Sequence, residues 1–437
     1  MGEPRGAVAA FVARHERWII ALFLAGGIVL RLAWAYLKPA PGKLGEAYNV
    51  AVSLATGAGF ANAMGPGTGP TAHLTPGMVL ISGLVYRIFG IHTPASELLL
   101  TCVALLVVLG GYLLAYHLFR RLGIPLLYRL GALGFLCIAP IYPSIEALDF
   151  KLWEGGLAVL AQLFVLLLFF RHDGLPPGRA AWFFIPLATA VSFLISPTLG
   201  LGTYLCWLIF MFRNFRGRNF FAVGIVSTIL LVLVLTPWTI RNEVMMGKPI
   251  PLRDNLGLEL AVSFYPGAEV GEPTMYRYWT RLREIHPYNS AKAFAAMQAA
   301  GGELAYAEKL QKETFAWIAG HPTDAARLAL RHSANYVMPP AWQYQMKANS
   351  VGSEIRHILM TIVALLGYGC ALWALTRPGP WLYFGFATLM KPVAYFMVEP
   401  IPRYMWLNYT SLIFLSAAAL YMIGSRLSRM RARSLPS

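Results

Sequence analysis

Charge is what this chain has least of. Only 13% of its 437 residues are Asp, Glu, Lys or Arg, against about 25% in a typical soluble domain, and that deficit excludes an ordinary water-soluble globule. Carboxylates are the scarcer sign, with 20 Asp and Glu against 36 Lys and Arg. The four cysteines (Cys102, Cys137, Cys206, Cys370) all fall inside apolar runs without CxxC or metal-type spacing. That excludes a thiolate metal centre or a disulfide framework and predicts buried free thiols. No internal repeat is present, which argues against a transporter built from two related halves. The stretch 43–76 holds a single carboxylate, Glu46, among small, polar and glycine residues.

What is abundant is apolar: 57% hydrophobic residues and a mean hydropathy of +0.56. A helix needs about 20 apolar residues to cross a bilayer, and on that rule the sequence predicts an all-α polytopic membrane protein with about ten spans. These are 18–37, 95–118, 126–143, 153–170, 180–195, 197–213, 219–238, 354–375, 380–398 and 403–424. Ser196-Pro197 is the expected turn between the fifth and sixth. The net charge of +16 does not indicate nucleic acid, because the basic residues sit at the ends of apolar runs. With the N-terminus inside, every cytoplasmic segment is basic, from Arg5, Arg14 and Arg17 to Arg426, Arg429, Arg431 and Arg433. An even count returns the C-terminus to the cytoplasm. The amphipathic run 77–90 is too short to span and reads as a helix on the outer surface. Basic residues followed by an apolar stretch and Ala33-Trp34-Ala35 also resemble a cleavable signal peptide, but Arg31 stands just before that site. Three regions follow: a membrane module 1–238 with a first outer loop 38–94, an outer soluble domain 239–350, and a C-terminal membrane part 351–437.

Ionisable groups at membrane depth are costly and mark function. Four sets stand out: Glu46 and Tyr48 in the first loop; Glu146, Asp149, Lys151 and Glu154 between the third and fourth spans; Arg241 and Asn242 in TPWTIRN; and Lys391, Glu399, Arg403 and Tyr404 between the last two spans. His73 joins the first set. This topology puts all four at the outer surface, beside lipid. Transfer from a lipid-phosphate donor needs that kit: cations for a departing phosphate and a carboxylate base for the acceptor hydroxyl. No metal is required, although a carboxylate pair such as Glu46 and Asp149 could hold a divalent cation.

The order of these motifs resembles the polytopic GT-C glycosyltransferases, in particular the bacterial protein-mannosyltransferase-like and lipid A aminoarabinose-transferase-like group. Arg31 is similar to the group's LR element. EAYNVAVSLATGAGF followed by GPTAHLTPGMVLISGLVYRIFG is similar to its first periplasmic loop. TPWTIRN followed by GKPIPLRDNLGLEL is the most specific match, and GHPTDAARLALRH and EPIPRYMWLNYTSLIFL resemble later landmarks. The resemblance implies a GT-C fold in a bacterial inner membrane and inverting transfer of a sugar from a polyprenyl-phosphate donor to a glycan, lipid or protein acceptor. Glu46 and Asp149 would be catalytic, with Tyr48, His73, Lys151, Glu154, Arg241, Lys391, Arg403 and Tyr404 binding substrate. One departure stands out. The group carries an aspartate a few residues before the tyrosine matched by Tyr48, whereas KPAPGKLGEAY has none; Leu44 or Gly45 takes its place and Glu46 is the carboxylate at hand. Two other readings stay open: a partner protein that binds the lipid-linked sugar without transferring it, and a transporter or flippase.

Overall fold

A computed structural model describes residues 4–37, 45–139, 141–270, 275–344 and 351–434. Helices α1 (Pro4–Arg14) and α2 (Glu16–Leu37) open the chain. Helices α3 (Glu46–Ala55) and α4 (Gly77–Phe89) follow in the first loop. The next membrane helix is α5 (Pro94–Arg121), started by Pro94 and by the Thr93 hydroxyl, which accepts the Ser96 N–H. Helix α6 (Leu126–Ile138) turns through 75° into α7 (Pro143–Ala147) and a 3-10 turn, Asp149–Lys151. After α8 (Gly155–His172), a π-helical turn leads into α9 (Ile185–Ile195). Extended Ser196 and Pro197 then begin α10 (Pro197–Asn214), the sharp reversal that the sequence implies. Helix α11 (Arg218–Met246) precedes five shorter helices: α12 (Leu256–Ser263), α13 (Met275–Ile285), α14 (Ala291–Ala299), α15 (Glu303–Gly320) and α16 (Pro322–Val337). Helices α17 (Val351–Leu375), α18 (Pro380–Ala394) and α19 (Pro402–Ser434) end the chain. No strand occurs among the described residues beyond a lone bridge between Ala61 and Pro70.

Six helices (α2, α5, α8, α11, α17 and α19) are long and apolar enough to cross a membrane, and the bent α6–α7 pair makes up to seven. The chain is a multi-pass membrane protein. Helices also occupy the other expected spans, but α9 and α18 are short. Some boundaries move. Helix α11 continues past 238 to Met246 through an internal proline, and α18 stops at Ala394, short of 398. Leu44, in the place of the missing aspartate, lies outside the described residues. Of the cysteines, Cys137, Cys206 and Cys370 are buried, whereas Cys102 is exposed on α5. A thiol within an apolar run is thus not always inside the bundle.

Aromatic side chains fill the bundle: Phe119, Phe169, Trp207, Phe210, Tyr383 and Trp406 belong to one buried cluster. Lipid supplies no hydrophobic drive for helix association, so close backbone approach takes its place. A Cβ on Gly385 would meet the Ala371 carbonyl oxygen at 2.7 Å, and one on Gly367 would meet the Leu412 carbonyl oxygen at 2.9 Å. Glycine therefore sets the α17–α18 and α17–α19 distances. Two polar knots tie distant helices. Arg31 of α2 donates to Glu146 Oε2 at 2.7 Å and to the Leu136 and Cys137 carbonyls, both at 2.8 Å. Glu146 also accepts from Trp406 Nε1 at 2.9 Å and from the Tyr112 hydroxyl. The second knot lies at the opposite end, where Asp173 accepts from Arg213 Nη2 at 3.0 Å and from Tyr383 at 2.6 Å.

Helices α3, α4 and α12–α16 cover the other end, here called the loop face. The first loop and the insert are one layer. Met64 shares a buried cluster with Leu258, Leu282, Met297 and Leu310. Thr71 donates to Glu303 at 2.6 Å, and the Gly45 N–H donates to the Tyr288 hydroxyl at 2.8 Å.

Candidate functional site

Beneath this layer lies a cavity of about 470 Å³. Its walls come from the start of α3, the loop at 73–74, the α7–α8 turn, the α9–α10 reversal, α12, residue 286 and the 394–407 segment. Seven of the residues expected from sequence line it: Glu46, His73, Asp149, Lys151, Glu154, Arg403 and Tyr404. Each sits where an element begins or breaks. Glu46 is the first residue of α3, where a carboxylate suits the helix dipole, and Gly45 ahead of it takes φ of +89°. Asp149 and Lys151 ride on the 3-10 turn that the Arg31–Glu146 knot holds, and Arg403 and Tyr404 open α19.

Three expected residues lie elsewhere, and geometry says why. Tyr48 packs against Tyr86 and His92, with ring centroids 6.1 and 5.0 Å away. Arg241 turns back on the first loop: it donates to the Thr71 carbonyl at 2.7 Å and to the Phe60 carbonyl, and its guanidinium lies over Trp238. It braces a wall of the site. Lys391 points into the bundle and donates to the Leu407 carbonyl at 2.8 Å. Its turn of α18 faces α19, and its ammonium satisfies a backbone oxygen there.

Several cavity residues escaped the sequence reading. Glu97 accepts from Lys151 Nζ at 3.0 Å and from Tyr86 at 3.1 Å, and His92 stands 3.0 Å from it. Arg253 pairs with Glu154. Glu259 and His286 complete the set. Arg253 and Glu259 lie within GKPIPLRDNLGLEL, the segment that carried the strongest resemblance, and its Arg and Glu were the available signal.

Pairing decides which charges are left over. Lys151 is spent on Glu97 and Arg253 on Glu154. Arg403 has no carboxylate within 4.0 Å among the described residues, and its buried Nε has no partner; its guanidinium lies over Trp153 and Tyr404, 5.5 and 5.4 Å from the ring centroids. It is the cation available to an incoming anion. Glu46 stands 3.3 Å from His286 Nε2. Burial pushes the Glu46 carboxyl up, but His286, His73, a backbone N–H and Arg403 outweigh it and hold it below the usual glutamate range. Burial drives His73 down to about 3, and it lowers His286 as well. Burial raises Glu259 instead. Glu46 and both imidazoles thus lie below their usual ranges, the carboxyl through its charged surroundings and the imidazoles through burial.

The same residues fit a divalent cation. Glu46, His73 and His286 each offer one ligand atom, all within 4.8 Å of one another. His73, Asp254 and Glu303 form a second such group behind it. Among the described residues His286 Nδ1 is buried without a partner, and the Asp254 and Glu303 carboxyls are buried against each other. Two imidazoles with a carboxylate suit zinc or another first-row ion better than magnesium. These candidate ligand groups include Glu46 but not Asp149.

No family model matches the sequence, and no curated protein matches it. Two solved structures do. An archaeal oligosaccharyltransferase, AglB from Archaeoglobus fulgidus, in complex with an inhibitory peptide and a dolichol-phosphate, aligns over 97% of this chain and 52% of its own, at 14% identity and a TM-score of 0.50. An oligosaccharyltransferase from the same organism in the apo form aligns over 95% and 51%, at 15% identity and a TM-score of 0.49. The chain spans about half the length of these proteins. What the likeness shows is architecture alone: this membrane protein shares the fold of the aligned part of AglB.

Proposed function

We propose that the protein is an inverting glycosyltransferase that moves a sugar from a polyprenyl-phosphate donor to an acceptor, with the loop face on the periplasmic side of a bacterial inner membrane and both termini in the cytoplasm. One observation carries the reading: a carboxylate, Glu46, and a cation with no carboxylate within 4.0 Å among the described residues, Arg403, share one cavity at the end of the membrane bundle. The related AglB structure, which holds a dolichol-phosphate and a peptide, supports a lipid-phosphate donor and a separate acceptor.

In this reading the donor's tail stays in lipid and its phosphate lies against Arg403. The acceptor hydroxyl attacks the anomeric carbon from the side opposite the phosphate. The C–O bond to the acceptor forms as the bond to the phosphate oxygen breaks, so a single displacement inverts the centre. Glu46 takes the hydroxyl proton. The phosphate leaves with both bonding electrons as a monoester, whose second pKa of about 6 lets it depart without a general acid, and Arg403 balances the growing charge. Asp149 and Tyr404 border the same space and complete the lining. A divalent cation held by Glu46, His73 and His286 would supply Lewis acidity at the phosphate. Glu46 would then be a ligand, and Asp149 the remaining candidate base.

The test is Glu46→Gln with a radiolabelled polyprenyl-phospho-sugar. Transfer should fall by about 10²–10⁴-fold while the variant stays folded; full activity removes Glu46 from the reaction. The absence of the aspartate before Tyr48 favours a second reading, a protein that binds the lipid-linked sugar without turnover. Purified protein that binds polyprenyl phosphate but consumes no donor would establish it.

A further inference from the structure

The end of the bundle opposite the loop face is one-sided in charge. The segments that turn back there (5–17, 120–129, 171–179, 213–218, 376–379 and 426–433) hold sixteen arginines, no lysine and two carboxylates, Glu16 and Asp173. All nine lysines of the chain lie elsewhere. Both carboxylates are engaged: Glu16 accepts from Tyr116 and stands 3.8 Å from Arg129 Nη1, and Asp173 pairs with Arg213. Topology alone does not require this choice of cation, because the bias that orients membrane helices counts Lys and Arg alike. What arginine adds is a planar fork that grips a phosphate through two N–H groups at once.

Three of these turns form one platform. The α8–α9 turn carries Arg171 and Arg179, the α10–α11 turn carries Arg216 and Arg218, and the α17–α18 turn carries Arg377, all exposed. Asp173 ties the turns together. It accepts from Arg213 Nη2 at 3.0 Å, from Asn214 Nδ2 at 3.0 Å and from the Tyr383 hydroxyl at 2.6 Å, while the Asn214 side-chain oxygen accepts the Gly174 N–H at 2.7 Å. The α17–α18 turn packs directly on this knot: a Cβ on Gly379, where φ is +83°, would meet Asp173 Oδ2 at 3.2 Å. Pro176 and Pro177 stiffen the α8–α9 turn. Asp173 is the sole carboxylate in the sequence of the three turns, and it serves as their fastener. Arg216 is steadied by the Phe215 carbonyl at 3.2 Å, and Arg377 by the Trp373 ring, 4.9 Å from its centroid. Neither contact cancels charge.

The neighbours of these arginines decide what kind of anion fits. Phe183, Phe184, Phe212 and Phe221 are all about half exposed or more, and each lies within five residues of one of the five arginines. They sit about one helical turn deeper, on the π-helical entry to α9, on α10 and on α11. A ligand with a phosphate head and apolar chains behind it meets both kinds of side chain. A soluble polyanion leaves the phenylalanines unused.

We propose that these three turns form a docking platform for an anionic phospholipid, whose phosphate is held by the arginine forks and whose acyl chains lie along the exposed phenylalanines. The proposal does not depend on the transferase reading. Native mass spectrometry of the full-length protein released from a non-ionic detergent, with phosphatidylglycerol or phosphatidylcholine added, tests it. Each arginine at an anionic headgroup contributes about fivefold, so R216Q/R218Q/R377Q should weaken phosphatidylglycerol binding by about 100-fold and leave phosphatidylcholine binding unchanged. R14Q/R17Q/R426Q removes the same number of charges from α1, α2 and α19 and should cost less than about fivefold. R216K/R218K/R377K keeps every charge and should still lose about tenfold, because an ammonium offers no fork. All nine variant positions lie on exposed side chains, so melting in detergent alone should match the wild type. No loss in R216Q/R218Q/R377Q, or an equal loss in R14Q/R17Q/R426Q, overturns the proposal. So does a lysine variant as tight as the wild type. Heparin that binds as tightly as phosphatidylglycerol, and is lost in the same R216Q/R218Q/R377Q variant, would assign the platform to a soluble polyanion and overturn it as well.

Discussion

The Arg31–Glu146 knot yields the most quantitative expectation. Both side chains are almost wholly buried, 3% and 1% exposed. Replacing Glu146 by Leu strands a guanidinium that keeps the Gly27, Leu136 and Cys137 carbonyls but has lost its counter-charge. Breaking a buried pair in this way costs about 3–5 kcal/mol. Replacing Arg31 by Met strands the carboxylate with only Tyr112 and Trp406 and costs a similar amount. The double variant buries no charge. It loses chiefly the donors to two carbonyls at the end of α6, at about 1–3 kcal/mol each. The double-mutant cycle should therefore show a coupling of about 3 kcal/mol or more, with the double variant no less stable than either single one. Unfolding by SDS in mixed micelles measures it, and Trp406, whose indole donates to Glu146, serves as a local fluorescence reporter. Additivity to within about 0.5 kcal/mol would show that the pair is not the unit described here, and that the turn carrying Asp149 and Lys151 is held by something else.

Other expectations concern the cavity. If the Glu46, His73 and His286 group holds a cation, extensive chelation should abolish transfer and lower the melting temperature, and His286→Ala should remove the metal detected by elemental analysis; activity that survives chelation assigns Glu46 to proton transfer. The His73 imidazole is held down to about 3, so between its ordinary value of 6.5 and about 3 the unfolded chain binds a proton that the folded one does not. Stability should fall as pH drops through that window, by up to about 1.4 kcal/mol per unit, and His73→Gln should flatten the slope seen in denaturant titrations. Lys391→Met should leave the Michaelis constant for the donor unchanged, because the lysine serves the Leu407 carbonyl; a large rise in that constant would return Lys391 to the site.

Much of this architecture could be read directly. Hydropathy and the basic termini of apolar runs placed a helix at every expected span, and the short amphipathic stretch after Pro76 forms helix α4. Seven site residues were legible because a charge at a membrane edge is rarely idle. The direction of a side chain was not. Lys391 and Arg403 look alike in sequence, yet one turn of α18 faces a neighbouring helix while the start of α19 faces open space. Arg241 looked like a phosphate ligand because nothing in its local sequence reveals the Phe60 and Thr71 carbonyls that claim it. His286 and Glu97 were passed over for the opposite reason: each lies in an unremarkable polar stretch, and only the packing of distant segments brings them to Glu46 and Lys151.

Helix α11 has 29 residues and, at about 1.5 Å each, rises about 43 Å, well beyond a hydrocarbon layer of about 30 Å. Within the bundle it touches chiefly α9 and α10, and its sides are exposed at Ile225, Ile229, Val232 and Leu233. Its far end carries Trp238, Arg241 and Asn242, which are bonded to Leu252, to Thr71 and to Ile250. It is a mast stepped in lipid with the roof of the cavity lashed to its head. A loosely packed span can tilt to match the bilayer around it, and the ties at Trp238, Arg241 and Asn242 connect any such tilt to that roof.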